Sequence, residues 1–213
     1  MKRRSLNCKD FNMLSKLIIE HFPRPHSETD PYKVLITTIL SQRSRDENTN
    51  VAAKQLFEVY NNIEILANLN PTQLYDLIKP AGLYKEKAER IVQVSRIILE
   101  EYNGVVPDTL EKLLRLPGVG RKTANIVLYV GFGRPALAVD THVHRISNRL
   151  GWVNTKRPED TEEQLTKILD PELWGPINGS MVEFGKNICK PVSPKCEICF
   201  LKDCCRYYSE LKR

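Results

Sequence analysis

The chain has 213 residues, enough for one large compact domain or for two small domains that share an interface. With 41% hydrophobic and 27% charged residues, its composition excludes wholesale disorder, and no apolar run reaches the roughly 18 residues of a membrane span. The 32 Lys and Arg outnumber the 26 Asp and Glu, and the formal net charge of +6 favours a polyanionic partner without proving one. No apolar signal core follows the basic N-terminus, so we expect a cytoplasmic protein whose thiols stay reduced.

Helix signals dominate the chain from its N-terminus onward. Apolar residues recur at helical spacing, Asp30-Pro31 and Asn70-Pro71 are typical helix starts, and glycines or prolines follow most of the periodic segments. The segment VLITTIL is rich in β-branched residues, but no partner strand or hairpin turn lies nearby, so we interpret it as helical. The predicted helices span about 6–21, 31–40, 46–60, 71–79, 84–102, 108–115, 120–131, 140–150, 160–169 and 172–188. The predicted fold class is therefore all-α.

Two of these helices flank a glycine turn in the segment DTLEKLLRLPGVGRKTANIVLYV, which spans 108–130. The residues Asp108–Glu111 predict a capping box at the start of the first helix. Gly118 and Gly120 permit a positive φ and allow close approach of a ligand, because glycine has no Cβ. The amides of Val119, Gly120 and Arg121 then lie at a helix N-terminus, where a DNA phosphate is favoured. A plain helix–turn–helix corner is the alternative.

The sequence LPGVGRKTANIVL resembles the helix-hairpin-helix of the endonuclease III family of base-excision DNA glycosylases. This turn also occurs in DNA-binding proteins without catalytic activity. The resemblance implies the two-lobed helix-hairpin-helix DNA glycosylase fold with a C-terminal [4Fe–4S] cluster loop. It places a central helical domain at 22–133 and a second lobe at 1–21 plus 134–213, with DNA lying in the cleft between the lobes.

Two residues near the hairpin are candidates for catalysis. Lys122 falls in the first turn of the second hairpin helix, where the positive end of the helix dipole disfavours its charged form. Nucleophilic attack on a sugar carbon requires a neutral amine, although an exposed lysine in contact with a phosphate is the alternative. Asp140 follows an apolar stretch and is a predicted helix N-cap. The resemblance implies that Lys122 is the catalytic nucleophile and that Asp140 is the catalytic carboxylate.

Five of the six cysteines crowd into the C-terminal stretch CKPVSPKCEICFLKDCC. Cys189, Cys196, Cys199 and Cys205 have the spacing C-x6-C-x2-C-x5-C, and four thiolates within 17 residues suit an iron–sulfur cluster. Zinc would more commonly use two CxxC pairs, and disulfides would require an oxidising compartment. The same spacing in the family implies a [4Fe–4S] cluster. The family spacing favours Cys205 as the last ligand and leaves Cys204 as a spare thiol, although a shift of that ligand by one residue to Cys204 is the alternative. We expect Cys8 to be a thiol in the core or at the surface.

Further DNA contacts are predicted outside the hairpin. The turn SQRSRDEN contains Gln42 and Arg43, either of which could fill the space left by an extruded base; we favour Gln42, although alignment on Asp46 points to Arg43. We expect His142 to line the pocket or to touch the strand. Lys190 and Lys195 of the cysteine loop are expected to face the DNA backbone.

Together these features predict a bifunctional DNA glycosylase and abasic-site lyase of base excision repair. By resemblance, the substrates are oxidised pyrimidines and abasic sites in double-stranded DNA, and we expect the protein to act as a monomer. A mismatch- or purine-directed glycosylase on the same fold is the alternative within enzymes. A non-catalytic iron–sulfur DNA-binding module is the alternative outside them, and it predicts binding without strand cleavage.

Overall fold

The computed structural model describes residues 7–212. These residues form helices and connecting turns with no strand among them, which confirms the predicted all-α class. The described chain divides into two compact units: residues 27–134, which we call the hairpin unit, and 7–26 with 135–212, which we call the cysteine unit. The division predicted from the sequence, at 22–133, sets its first boundary a few residues earlier. Within residues 7–212, no helix combines the length and the apolar character that crossing a bilayer demands.

Seven α-helices are described in the hairpin unit. They are α2 (Pro31–Ser41), α3 (Asp46–Val59), α4 (Ile63–Asn68), α5 (Tyr75–Ile78), α6 (Tyr84–Glu101), α7 (Leu110–Leu113) and α8 (Arg121–Ile126). Short 3-10 turns flank α5, and α8 continues into a π-helical turn, Val127–Gly131. The helix α4 was missed in the sequence, because its six residues are too few to show a helical period.

The helix α2 forms the centre of the hairpin unit. The β-branched segment that we interpreted as helical lies within it and is almost wholly buried, against α3, α6, α8 and the π-helical turn. The side chain of Asp30 accepts a hydrogen bond from the Lys33 amide at 2.8 Å, and Pro31 occupies the first helical position, as predicted. Gly131 packs directly on Pro31, so a side chain at 131 would have no room.

The cysteine unit combines the N-terminal helix with the C-terminal ones. Its helices are α1 (Phe11–His21), α9 (Thr141–Leu150), α10 (Pro158–Ile168), α11 (Pro171–Asn187) and α12 (Arg206–Leu211). One apolar cluster joins α1, α9, α10 and α11, with Leu14, Ile18, Ile146 and Phe184 at most 1% exposed. The first described helix of the chain therefore packs against the C-terminal helices. Burial of this shared core holds the two ends of the chain together.

Candidate active site and cysteine loop

The hairpin turn lies between α7 and α8. Gly118 has a φ of 72°, in the left-handed region that favours glycine, and the Val119 amide donates to the Leu116 carbonyl at 3.1 Å. Val119 is buried, whereas Gly118 and Gly120 are exposed. Gly120 is the N-cap residue of α8 and provides no side-chain cap. The exposed face of this turn is therefore backbone rather than side chain.

The start of the first hairpin helix differs from the prediction. The N-cap is Thr109, whose side chain accepts a hydrogen bond from the Lys112 amide at 3.4 Å. The predicted capping box from Asp108 to Glu111 is therefore wrong. Asp108 instead forms an ion pair with Arg134, which closes the two ends of the hairpin segment against each other.

Lys122 is the second residue of α8 and is exposed. The next three residues of the helix, Thr123–Asn125, are buried and pack α8 into the unit. A short, well-packed helix thus carries an exposed lysine in its first turn.

Asp140 is the N-cap of α9 in the cysteine unit. Its Oδ1 accepts hydrogen bonds from the amides of His142 and Val143, both at 2.9 Å, which confirms the predicted cap. The carboxylate is half-buried, and the cap uses only one of its two oxygens. The cap therefore orients the carboxylate without consuming Oδ2.

The turn after α2 separates the two candidate wedge residues. The Gln42 amide nitrogen donates to the Gly118 carbonyl at 2.9 Å, and the Gln42 amide oxygen accepts from Arg90 at 2.8 Å. Both ends of this side chain are therefore engaged within the unit. Arg43 is exposed and has a left-handed φ of 53°. Of the two residues, Arg43 is the one whose side chain extends from the turn.

The sequence analysis did not single out Leu83, although the structure gives this residue an unusual backbone and an unusual exposure. This residue precedes α6, has a left-handed φ of 47° and is 48% exposed. A leucine with a left-handed φ has a strained backbone. An apolar side chain that stays exposed at a turn also contributes no burial of apolar surface to the stability of the fold. The detectable signal was the sequence AGLY, where a large apolar residue follows Gly82 at a helix boundary and has no periodic partner.

The other predicted DNA contacts have different settings. The His142 ring packs against Gly185 of α11, with Arg145 3.2 Å from its Nδ1, and burial lowers the pKa of His142. This packing gives His142 a structural role that the sequence did not indicate. Lys190 is half-buried and Lys195 is exposed.

Arginines of α9 hold the start of the cysteine loop. Arg145 donates to the Cys189 carbonyl at 2.9 Å, and Arg149 donates to the Lys190 and Pro191 carbonyls at 2.6 and 2.8 Å. Arg149 also lies 3.6 Å from the Cys189 sulfur. These bonds fix a segment that has no regular secondary structure of its own.

The four predicted ligand cysteines line one pocket. All four are free thiols. Burial raises the pKa of the Cys199 thiol to about 11 and also raises those of Cys196 and Cys205. Thiols of this kind become thiolates when a cationic centre compensates for their burial. Four sulfurs around one cavity fit an iron–sulfur cluster, although no group of three ligands among residues 7–212 has the spacing for a single metal ion.

The remaining two cysteines form a disulfide. Cys8, just before α1, is bonded to Cys204 in the C-terminal loop, across 196 positions of sequence. The expectation of a free Cys8 and a spare Cys204 thiol was therefore wrong. The physical reason is the packing of α1 in the cysteine unit, which brings the two Cα atoms within 5.0 Å.

Comparisons with known proteins identify the family of this chain. Residues 36–171 match the family model described as HhH-GPD superfamily base excision DNA repair protein. The chain is 67% identical to endonuclease III of Thermotoga maritima over 195 residues, covering 92% of each chain.

Solved structures extend the similarity to the whole fold. A trapped endonuclease III–DNA covalent intermediate matches with a TM-score of 0.88 and 36% identity, covering 98% of this chain and all of that one. A thermostable thymine-DNA glycosylase matches with a TM-score of 0.84 and 27% identity, covering 93% of this chain and 96% of that one. The chain therefore belongs to the endonuclease III family of DNA glycosylases and abasic-site lyases, within the HhH-GPD superfamily of base excision DNA repair proteins.

Proposed function

We propose that this protein removes oxidised pyrimidines from double-stranded DNA and cleaves the resulting abasic site, with Lys122 as nucleophile and Asp140 as the catalytic carboxylate. The observation that carries the proposal is the exposed Lys122 in the first turn after the glycine hairpin. It is supported by the similarity, over nearly the whole chain, to an endonuclease III trapped as a covalent DNA intermediate.

The reaction requires a neutral amine and a carboxylate. Lys122 reacts as the neutral amine, and Asp140 stabilises the positive charge that develops on the deoxyribose. The Lys122 nitrogen bonds to C1′ as the bond from C1′ to the base breaks, and the base leaves with a proton. One proton then passes from the bound nitrogen to the ring oxygen O4′, and the bond from C1′ to O4′ breaks to leave a C4′ hydroxyl and a protonated Schiff base. Loss of a C2′ proton then expels the 3′ phosphate by β-elimination.

The hairpin unit supplies the proposed contacts with DNA. The exposed backbone of Gly118 and Gly120 approaches a phosphate, and Arg121 adds charge beside it. The Val119 amide, which the sequence also predicted for this contact, already donates to the Leu116 carbonyl. Arg43 is the preferred wedge into the space of the extruded base, because both polar ends of Gln42 are already bound. We further assign the exposed Leu83 as an apolar wedge between bases.

The cysteine loop is proposed to hold a [4Fe–4S] cluster through Cys189, Cys196, Cys199 and Cys205. The cluster would supply four sulfur–iron bonds that cross-link a loop with little regular structure. Arg149 would then face the Cys189 ligand, and the loop would present Lys190 and Lys195 to phosphates.

Borohydride trapping tests the proposed nucleophile. The protein is incubated with a duplex that carries one thymine glycol, and borohydride reduces any imine to a stable amine. We expect a covalent protein–DNA band for wild type and none for Lys122→Gln. The control is Lys112→Gln, which replaces another exposed lysine of the same hairpin and should still give the band. Trapping of Lys122→Gln at the wild-type level would refute Lys122 as nucleophile, and trapping only on an abasic duplex would refute the oxidised-pyrimidine substrate.

The similarity to a thymine-DNA glycosylase supports a second candidate, a mismatch-directed glycosylase. A duplex with a single G·T pair distinguishes the two. Base removal from that duplex at a higher rate than from the thymine glycol duplex would favour the mismatch activity.

A further inference from the structure

Three turns of the hairpin unit lie at the ends of its helices. They are the turn after α2 (residues 41–45), the turn before α6 (residues 81–83) and the hairpin turn (residues 117–120), and we refer to them as the three turns. Each contains a residue with left-handed φ: Arg43, Leu83 and Gly118, respectively. For Arg43 and Leu83, which are not glycines, a left-handed φ persists only where the surrounding structure imposes it, and such backbone is concentrated at functional sites.

A buried lysine joins the first two of these turns. Lys87 of α6 is 2% exposed, and its Nζ donates to the Leu40 carbonyl at 2.7 Å and to the Ala81 carbonyl at 2.8 Å. Leu40 is in the last turn of α2, where carbonyls lack intrahelical partners and favour a cation. Lys87 therefore ties the end of α2 to the start of the turn that carries Leu83.

An arginine three residues later joins the first turn to the hairpin. Arg90 donates to the Gln42 amide oxygen at 2.8 Å, and the Gln42 amide nitrogen donates to the Gly118 carbonyl at 2.9 Å. The Arg90 side chain also covers the Cα of Gly118 so closely that a Cβ there would overlap it. A continuous set of polar contacts thus runs from α6 through Gln42 to the hairpin.

We propose that Lys87 and Arg90 are positioning residues that hold the three turns in one fixed arrangement for extrusion of the damaged base. This inference rests on the proposed function, which assigns DNA contacts to the same turns. Neither side chain touches the reacting atoms. They act by fixing the positions of Arg43, Leu83 and the hairpin backbone. Exact placement of these groups matters most when a base must be unpaired and extruded from the DNA helix, because extrusion costs free energy that their contacts with DNA offset.

Single substitutions remove the polar contacts of Lys87, Arg90 and Gln42 separately. Arg90→Ala removes the bond to Gln42, and Gln42→Glu keeps an acceptor for Arg90 but loses the donor to the Gly118 carbonyl. Lys87→Met keeps most of the side-chain length and removes both carbonyl bonds. Lys54→Ala, an exposed lysine of α3 in the same unit, controls for the loss of one positive charge.

The test compares a substrate that needs base extrusion with one that does not. Single-turnover cleavage is measured on a thymine glycol duplex, and borohydride trapping on a single-stranded abasic oligonucleotide. We expect Arg90→Ala and Gln42→Glu to slow the duplex reaction by about tenfold, as for one lost hydrogen bond to a charged or strained group. We expect abasic trapping to stay within about twofold of wild type, and Lys54→Ala to match wild type in both assays.

Two further readouts separate positioning from folding. The fluorescence of 2-aminopurine beside the lesion reports extrusion directly and should rise more slowly for Arg90→Ala, Gln42→Glu and Lys87→Met. The double variant Arg90→Ala/Gln42→Glu should be no slower than the slower of its two single variants, because both substitutions interrupt the same set of contacts. Gln42→Glu changes a surface turn, so the proposal stays testable if Lys87→Met fails to fold.

Equal losses on the two substrates, or no loss on the duplex, would overturn the positioning role. Failure of wild-type protein to trap on abasic DNA would instead refute the proposed lyase function. In that case the 2-aminopurine signal still decides the role of the three turns. Unchanged extrusion in all three variants would refute it.

Discussion

Asp140 combines a structural cap with a proposed catalytic charge, and two substitutions separate these roles. Asp140→Asn keeps an oxygen that can accept the hydrogen bonds from the His142 and Val143 amides, because asparagine is as good an N-cap as aspartate. Asp140→Ala removes this acceptor, so the two amides at the half-buried start of α9 lose their hydrogen-bond partner. Both variants lose the negative charge.

The expected magnitudes differ for stability and for activity. Loss of the cap in Asp140→Ala costs about 1–2 kcal/mol, which corresponds to roughly 2–8 °C in the thermal midpoint of a chain of this size. Asp140→Asn should lower the midpoint by less than about 2 °C. Both variants should remove the base about 10²–10³ times more slowly, the usual cost of losing one electrostatic or acid–base partner in the transition state.

Thermal denaturation followed by circular dichroism, and single-turnover base release from a thymine glycol duplex, provide the two measurements. Base release by Asp140→Asn within about threefold of wild type would show that the carboxylate charge is not catalytic. A thermal midpoint of Asp140→Ala equal to that of wild type would show that the two capping bonds contribute nothing. The two results are independent, so either part of the reasoning can fail alone.

Three further predictions concern the cysteines and the DNA contact. Cys8→Ser should lower the thermal midpoint by roughly 5–15 °C in non-reducing buffer, because the bond to Cys204 closes most of the chain into one loop. Reductant should not lower the midpoint of this variant further, and a midpoint equal to that of wild type would contradict the prediction. If the proposed cluster is present, Cys199→Ser should abolish its visible absorption and lower bound iron from about four atoms per chain, whereas Cys204→Ser should keep both. Full iron in Cys199→Ser would contradict the ligand assignment. Arg121→Ala should lower the slope of log Kd against log salt by about one, as for one lost phosphate contact, and an unchanged slope would exclude that contact.

Local features were readable from the sequence because their chemistry lies within a few neighbouring residues. The cap at Asp140 depends on the amides of two residues within the next three, and the position of Lys122 follows from two glycines that end one helix and start another. The spacing of Cys189 to Cys205 likewise indicates one binding loop before any coordinate is known. The error at Asp108 was also local, because the adjacent Thr109 can cap a helix too and only the backbone geometry decides between them.

Contacts between residues far apart in sequence were decided by the tertiary structure. Gln42 and Gly118 are 76 positions apart, and Cys8 and Cys204 are 196 apart, so no periodicity or spacing connects them. Burial of Lys87 in α6 is likewise invisible in a sequence where most lysines are exposed. The amino-acid sequence by itself determined the family, the helical class and the candidate nucleophile. Packing of the helices then decided which polar groups meet, because the hydrophobic core sets the distances and hydrogen bonds form only where those distances allow.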